Sequence, residues 1–355
     1  MKACIVSLKY HPGHFSHLTA NYLLFKELGI DSLLLINEEF KKLDLENSLN
    51  IINQITLSQY CNYKVVIIWF PNLRNIIELL KFKIFGKANI VYVFHEPINS
   101  YLDFYKSGFN CFKILTLFFV NAINIFTILF CSHIILPSKK ALDIYQKKYK
   151  FWNTRFSMIP LLFDDENKNP NSNLTNKIYI SYIGTIASDH AFNKFCNYII
   201  FAIENNLFKQ YSFLIATGST INSEIKKKLL RFQNSGRLLI SDGNWLSNVD
   251  INKYFNLSAL IWNAYDRSNQ SGILPKAFMF CTPVLGNAMI PNEYIIHRHN
   301  GFYLKDNSST LEITNAINEI TENLENYSKK SRETFLSTFY YQNYKKEFTK
   351  IINNE

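Results

Sequence analysis

The 355-residue chain is 48% apolar and 19% charged, with 11 glycines and nine prolines, a composition that excludes a disordered, collagen-like or low-complexity protein. Its net charge of +10 predicts an anionic partner, such as a phosphorylated ligand or an acidic membrane surface. Nucleic acid is disfavoured, because the lysines are dispersed and the chain has no zinc-finger spacing, RNP-type aromatic motif or basic-leucine pattern.

Ten short apolar runs alternate with longer amphipathic stretches along the chain. They span residues 3–8, 32–36, 64–69, 90–95 and 133–137 in the first half, and 178–184, 213–218, 238–242, 259–264 and 282–287 in the second. Continuous runs rich in Val, Ile, Tyr and Phe are typical of strands covered on both faces, and the intervening stretches are long enough for crossover helices. This alternation predicts an α/β fold with doubly wound parallel sheets.

The clearest crossover helix is predicted at residues 16–28. Ser16 or Thr19 is placed to cap its start, because a side-chain oxygen there accepts a free backbone N–H group. Gly29 is placed to end it in a left-handed conformation.

An uncharged apolar stretch at residues 114–131 reads ILTLFFVNAINIFTILFC and approaches the length of a membrane span. Asn121 and Asn124 near its middle argue against insertion across a bilayer, as does its position inside the β–α series. Two interpretations stay open: a helix buried in the core, or a helix lying in the membrane interface. The nearby lysines that favour the interface are Lys81, Lys83, Lys87, Lys106 and Lys113.

A polar stretch divides the two halves. Residues 164–173 read DDENKNPNSN and contain a proline but no apolar residue, as expected of a domain boundary. We therefore expect two Rossmann-like doubly wound domains, at 1–165 and 166–330, facing a central cleft at their strand C-termini.

The cysteines are dispersed and form no C-x-x-C pair, which indicates reduced thiols in a reducing compartment. The chain begins with a strand-like run and shows no signal-peptide layout. We therefore expect a cytoplasmic protein. The cysteines are Cys4, Cys61, Cys111, Cys131, Cys196 and Cys281.

The stretch at residues 265–286 is the most informative for chemistry. It follows a strand-like run, has small residues at a turn around Ser271 and Gly272, and then opens a helix. Backbone N–H groups at such a turn approach an anion closely, and the helix dipole favours phosphate there. Arg267 adds a positive charge. An ordinary strand–turn–helix has the same pattern, so both interpretations stay open on these residues alone.

Several motifs of the second half occur together: SGILP at 271–275, the helix after it, TPV at 282–284, Glu293, and Asn300-Gly301. In this order they resemble the C-terminal signature of the family 4 glycosyltransferases (glycosyl transferases group 1), which have the GT-B fold. Weaker similarities cover most of the chain, at Gly13, His95-Glu96, 133–138, 158–160, Gly184 and Gly218.

The resemblance implies an acceptor domain at 1–165, a nucleotide-sugar domain at 166–330, and a C-terminal helix at 331–355 that packs back toward the first domain. It implies a hexosyltransferase of the bacterial surface-polysaccharide type, for example in O-antigen or capsule synthesis. Such an enzyme moves a sugar from an NDP-sugar to a hydroxyl of a lipid-linked or polysaccharide acceptor. Its transfer needs no metal or cofactor and typically retains the anomeric configuration, and its place is cytoplasmic, at the inner face of the membrane.

The resemblance also assigns roles by position. His95 and Arg267 are the expected catalytic residues, and His14 and Glu96 are expected on the acceptor side. The expected donor-binding residues are Gly13, Gly184, Thr185, His190, Gln270, Ser271, Gly272, Ile273, Lys276 and Glu293.

The chain departs from the family pattern where charge matters most. Many members carry an Arg and a Lys that stabilise the leaving diphosphate, and this chain has Thr185 and His190 there. Ser268 and Lys276 replace two glutamates that flank the glycine loop. Because neutralising the leaving group is the main electrostatic demand of a metal-free transfer, a degenerate, non-catalytic nucleotide-sugar or partner-binding protein is the alternative.

Three histidines, His11, His14 and His17, recur every third residue around Pro12-Gly13. A metal site is disfavoured, because no carboxylate is suitably close in sequence. Polar lining of the acceptor side is the preferred interpretation, with His14 the best candidate, and simple solvation of the loop is the alternative.

Overall fold

The computed structural model describes residues 1–44, 48–95, 97–106, 108–150, 154–168, 170, 176–244, 246–266, 272–305 and 308–354. Within them the chain forms two compact units. Unit 1 consists of Met1–Asp164 and Thr338–Glu355, and unit 2 of Asp165–Ser337.

Unit 1 is built on a seven-stranded sheet in the order β3-β2-β1-β4-β5-β6-β7, with all neighbouring strands parallel. Its strands are β1 (Lys2–Ser7), β2 (Asp31–Ile36), β3 (Ile51–Ile52), β4 (Tyr63–Trp69), β5 (Asn89–Val93), β6 (His133–Leu136) and β7 (Arg155–Met158). The helices of its first segment are α1 (Phe15–Glu27), α2 (Leu73–Lys81), α3 (Tyr101–Lys106), α4 (Cys111–Phe130) and α5 (Lys139–Lys148).

Unit 2 is built on a six-stranded parallel sheet in the order β10-β9-β8-β11-β12-β13. Its strands are β8 (Tyr179–Ile183), β9 (Ser212–Ala216), β10 (Leu238–Ser241), β11 (Ser258–Asn263), β12 (Val284–Asn287) and β13 (Gly301–Leu304). Its helices are α6 (Phe192–Glu204), α7 (Ser223–Gln233), α8 (Asn248–Leu257), α9 (Ile273–Met279), α10 (Thr310–Glu322) and α11 (Leu324–Thr334).

The predicted fold class is confirmed: both sheets are parallel and doubly wound, and each of the ten predicted runs contains a strand. The central strands explain why the runs are continuous. Every residue of β11 is buried, and so are five of the six residues of β1. Both faces of these strands therefore need apolar side chains, each of which contributes roughly 1.5–3 kcal/mol when fully buried.

The predicted cap of α1 is wrong. The helix begins at Phe15. His14 occupies the position before the first turn, but its side chain makes no capping hydrogen bond. Ser16 and Thr19 lie inside the helix instead. The predicted end is correct, because Gly29 follows with φ of +70°, a left-handed conformation that glycine adopts at no steric cost.

The last segment of the chain completes unit 1. The Phe163 backbone N–H donates to the Phe339 carbonyl over 2.9 Å, and the Tyr341 N–H donates to the Phe163 carbonyl over 3.1 Å. Helix α12 (Lys345–Asn353) then packs Phe348 against Phe25 of α1, with ring centroids 6.3 Å apart. Residues far apart in sequence thus share one core.

Unit 2 contains a buried lysine at the base of its sheet. The Lys177 ammonium donates to the carbonyls of Ser258 and Phe280 and to Thr282 Oγ, over 2.9–3.0 Å. Burial lowers the pKa of this lysine to about 7. The TPV motif at 282–284 is thereby tied to the packing of the sheet, since Thr282 itself donates to the Phe255 carbonyl over 3.0 Å.

Candidate functional site

Each sheet has one point where the strand order reverses, and ligands of doubly wound folds bind at the strand C-termini there. In unit 1 this point lies between β1 and β4, and in unit 2 between β8 and β11. The residues predicted from sequence to bind ligands follow these strands or their neighbours.

In unit 1, three imidazoles meet beyond the ends of β1 and β5. The ring of His14 stacks on that of His11, with centroids 4.5 Å apart, and lies 6.4 Å from the ring of His95. Its other neighbours are aromatic residues at the end of β4: Phe70 at 5.1 Å and Trp69 at 6.3 Å. Two of the predicted site residues, His14 and His95, are thus brought together.

The setting of His14 keeps its imidazole neutral. Burial lowers the pKa of His14 well below its usual value, and the neighbouring His11 and His95 lower it further. Among the described residues no hydrogen-bond partner is found for its buried Nδ1. Because buried polar atoms are almost always paired in native proteins, this nitrogen is suited to bind a ligand hydroxyl.

A strained turn supports these rings. Phe70 has φ of +75°, which is costly for a bulky residue and is characteristic of functional sites. Buried Asn75 holds the turn: its amide donates to the carbonyls of Trp69 and Phe70 over 3.0 and 2.9 Å, and its oxygen accepts the Leu8 N–H over 2.9 Å. The ends of β1 and β4 are therefore pinned together at the point of reversal.

The other histidine of the triplet has a structural role. His17 is buried, its Nδ1 lies 3.0 Å from the Leu162 carbonyl, and its ring stacks on Trp69 at 5.3 Å. Gly13 lies in a single 3₁₀ turn, where a Cβ atom would lie 3.4 Å from the His11 ring. No group of three His, Cys, Asp or Glu side chains among the described residues is arranged to hold a metal ion. Glu96, predicted on the acceptor side, lies outside those residues.

In unit 2, Gly184 ends β8 at the point of reversal with φ of +133°. A Cβ atom there would lie 3.4 Å from the side chain of Ile273, the first residue of α9, and 3.8 Å from the Tyr265 hydroxyl. The strand end and the helix start, predicted to bind the donor together, are therefore adjacent. Gly272 precedes α9 as its capping residue.

His190 is fixed by three neighbours near the same strand end. Its Nδ1 lies 2.8 Å from the Thr185 carbonyl, which only accepts hydrogen bonds, so this nitrogen carries the proton. Its ring stacks on Tyr265 at 4.3 Å, and its Nε2 lies 3.8 Å from the buried carboxylate of Asp189. In this tautomer Nε2 has no proton and can only accept a hydrogen bond.

The predicted donor role of Lys276 is not supported. Its ammonium is buried and donates to Glu166, Asn248 and Asn252 over 3.2, 2.9 and 2.8 Å. An ammonium has three protons, and this network uses all of them. We therefore assign Lys276 to the packing of α8 and α9.

Glu293 lies in the loop after β12, and its neighbour Asn292 anchors this loop by accepting the Tyr303 hydroxyl over 2.6 Å. The Asn300-Gly301 pair has a structural role: buried Asn300 accepts the Ile296 N–H over 2.8 Å. A Cβ atom on Gly301 would lie 2.7 Å from the Val284 carbonyl. The remaining predicted residues, Arg267, Gln270 and Ser271, lie outside the described residues.

Sequence reasoning missed three contributors to these sites: Trp69 and Phe70 in unit 1, and Asp189 in unit 2. Trp69 and Phe70 end a predicted strand next to a proline, which marks a turn at the ligand-binding edge. Asp189 directly precedes His190, and its burial follows only from the tertiary structure.

The chain matches no protein-family model and no curated protein. Solved structures are similar over the whole chain. HepE from Anabaena in complex with UDP-glucose has a TM-score of 0.72 at 13% identity, with 100% of both chains covered. A glycosyltransferase from Rickettsia africae has a TM-score of 0.68 at 12% identity, and sucrose-phosphate synthase from Thermosynechococcus elongatus 0.69 at 10%. Both of these similarities extend over 99% of this chain and 98% of the other chain. Two Rossmann-like parallel-sheet units and these full-length similarities together establish the GT-B fold.

Proposed function

We propose that the protein is a glycosyltransferase that moves a hexose from a nucleotide-diphosphate sugar to a hydroxyl of a lipid-linked or polysaccharide acceptor. The transfer is metal-independent and retaining, takes place in the cytoplasm, and serves surface-polysaccharide synthesis. The observation that carries this proposal is the meeting of Gly184, His190 and the start of α9 where the sheet of unit 2 reverses. The full-length similarity to HepE, solved with UDP-glucose, supports the same donor class.

In this proposal, Gly184, His190 and the start of α9 in unit 2 hold the donor. The absence of a side chain on Gly184 gives the diphosphate access to backbone N–H groups. Because the N–H of the neutral ring is bound to the Thr185 carbonyl, His190 takes part as an imidazolium that donates from Nε2 to the diphosphate as its bond to the anomeric carbon breaks. Gln270, Ser271 and Arg267 join them on the strength of the sequence motif, with Glu293 toward the ribose.

In unit 1, the residues of this proposal hold the acceptor and the sugar. The neutral His14 binds a hydroxyl through its buried Nδ1, and His95 contacts the transferred sugar. A neutral imidazole suits this task, because it accepts a hydrogen bond from a hydroxyl where an imidazolium would only donate.

A specific observation favours a second candidate, a non-catalytic protein that binds a nucleotide sugar or a partner transferase. The Arg and Lys of the family pattern are replaced by Thr185 and His190, and the Lys276 ammonium is fully engaged elsewhere. Binding without turnover is the expected behaviour of such a protein.

Two measurements on the purified protein test both candidates. A thermal-shift screen of UDP-, GDP-, ADP- and CMP-sugars in the presence of EDTA identifies the donor, since a ligand at about 100 times its Kd adds about 2.7 kcal/mol of stability. Release of the nucleoside diphosphate from the stabilising donor then measures turnover. Turnover supports the transferase, and binding without turnover supports the second candidate as a nucleotide-sugar-binding protein. No stabilisation by any sugar nucleotide overturns both of these and leaves only the binding of a partner transferase.

A further inference from the structure

Helix α4 presents apolar side chains outward, whereas a helix that packs on a soluble core turns its apolar side chains inward. It is long and apolar enough by composition to cross a membrane, yet only 17% of its most apolar stretch is buried within the protein. Its outward side chains include Phe112, Leu115, Phe118 and Phe119, which are 83%, 54%, 51% and 66% exposed. The interpretation of this stretch as a helix buried in the core is therefore wrong.

The asparagines and Thr127 in the second half of α4 face the protein instead. Buried Asn124 accepts the Tyr92 hydroxyl of β5 over 2.5 Å, and Asn121 accepts the Tyr149 hydroxyl over 2.5 Å. Buried Thr127 donates to the Ile123 carbonyl within the helix over 2.8 Å. The asparagines thus anchor the helix to unit 1 and leave its apolar side toward the surroundings.

The exposed apolar surface continues onto the elements next to α4. Tyr101 of α3 stacks on Phe118, with ring centroids 3.9 Å apart, and α2 also packs against α4. Twelve of the 22 large hydrophobic side chains that are exposed in the described part of the chain fall between residues 73 and 130. We call these twelve the apolar face: Leu73, Ile77, Ile84, Phe85, Leu102, Tyr105, Phe112, Leu115, Phe118, Phe119, Leu129 and Phe130.

Basic groups border the apolar face at both ends of α4. Lys113 lies in its first turn, with its ammonium 5.5 Å from the Phe109 ring, and Lys83 acts electrostatically on Cys131, which follows the last turn. Exposed Arg74 and Lys87 flank the apolar residues of α2 and the turn after it. Among the described residues between 73 and 130 the acidic ones are Asp103 and Glu78, and Glu78 is already bound by Tyr60 and Lys81.

We propose that the apolar face docks unit 1 onto an anionic lipid bilayer, with α4 lying along the membrane interface. Exposed contiguous apolar surface marks an interaction site, and a rim of lysines and arginine matches the headgroups of acidic lipids. The inward hydrogen bonds of Asn121 and Asn124 commit the second half of α4 to the protein, so the helix lies on the membrane rather than across it. This proposal stands independently of the proposed transferase activity.

Co-sedimentation of the full chain with vesicles of equal parts phosphatidylcholine and phosphatidylglycerol tests the docking. We expect binding that falls as salt is raised, and at least tenfold weaker binding to pure phosphatidylcholine, because screening removes the attraction of the basic rim. Phe112→Ser with Phe119→Ser should weaken binding at least tenfold, and so should Ile77→Ser with Phe85→Ser on the neighbouring elements. Thermal midpoints near that of the wild type verify that these variants fold.

Matched controls are Val249→Ser and Leu311→Ser, two exposed apolar residues of unit 2, which are 61% and 66% exposed. Their vesicle binding should equal that of the wild type. Equal losses in both sets of variants, or no binding by the wild type, overturn the proposal. Resistance to carbonate extraction overturns the interfacial placement in favour of a span. A wild-type dimer in sedimentation velocity that becomes a monomer in Phe112→Ser with Phe119→Ser, without vesicle binding, assigns the face to a second copy instead.

Discussion

The imidazole of His190 lies nearly parallel to the ring of Tyr265, with an angle of 11° between the planes and 4.3 Å between the centroids. The Thr185 carbonyl fixes one edge of the same imidazole by accepting a hydrogen bond from Nδ1. The end of β8 is therefore followed by a preoriented imidazole ring.

This arrangement predicts that His190→Ala weakens binding of the sugar nucleotide by about tenfold, the value of one hydrogen bond of roughly 1.4 kcal/mol. Tyr265→Leu should weaken it in the same direction, because the imidazole loses its support. Titration calorimetry measures both effects, with His299→Ala as a control outside the site. Unchanged affinity in both variants would remove this ring pair from the donor site.

Gly184→Ala should abolish donor binding and lower the stability of the protein by roughly 1–3 kcal/mol. The residue has φ of +133°, which other residues rarely adopt, and the new methyl group would lie 3.4 Å from Ile273. Gly236→Ala is the matched control, since Gly236 has φ of +70° and no heavy atom within 4 Å of its Cβ position. That variant should lose stability only. A Gly184→Ala protein with normal affinity would show that no ligand approaches this strand end.

Lys276→Met should destabilise unit 2 by roughly 1–3 kcal/mol, because it leaves the half-buried carboxylate of Glu166 without its cation. Affinity for the sugar nucleotide should stay within twofold of the wild type under conditions where the variant is folded. Chemical unfolding and calorimetry separate the two effects, with exposed Lys227→Met as the control. A large loss of affinity with little loss of stability would return Lys276 to the donor site.

His133 should make the protein less stable in acid. Burial, and then the charge of Arg155, lower the pKa of His133 to about 4. The unfolded chain, with an ordinary pKa of about 6.5, therefore binds more protons between pH 6.5 and pH 4, and stability is lost as the pH falls through this window. The contribution at pH 5 is about 2 kcal/mol. Urea unfolding at pH 7 and pH 5 should show a correspondingly smaller difference for His133→Gln, whereas an identical difference would refute this assignment.

The sequence predicts the interior strands of both sheets and misses three of the four edge strands. The three strands without a predicted run, β3, β7 and β13, each lie at the edge of a sheet. Both residues of β3 and all four of β7 are at least partly exposed, so these strands do not need the continuous apolar runs by which buried strands are recognised. Edge strands are also kept short, which shortens the signal further.

Site residues at the ends of predicted strands and helices were easier to predict than those whose role depends on contacts with distant parts of the chain. Gly184 and Ile273 are marked by the ends of predicted elements, and the structure places them next to each other. The engagement of Lys276 depends on Glu166, 110 residues earlier in the chain, and on two asparagines of α8. The outward face of α4 depends in the same way on Tyr92 and Tyr149, whose hydroxyls donate hydrogen bonds to its asparagines. No local pattern encodes such pairings.

The return of Thr338–Glu355 to unit 1 has a consequence for biosynthesis. Unit 2 is one continuous stretch whose translation is completed before that of unit 1, whereas Met1–Asp164 is synthesised early and waits for the helix that covers Phe25. At bacterial and eukaryotic elongation rates of roughly 5–20 residues per second, this wait lasts about ten to forty seconds. During this time, the nascent first unit exposes the apolar surface around Phe25 that α12 later covers. A ribosome-bound chain stalled before residue 338 should therefore be the species on which chaperones and proteases act.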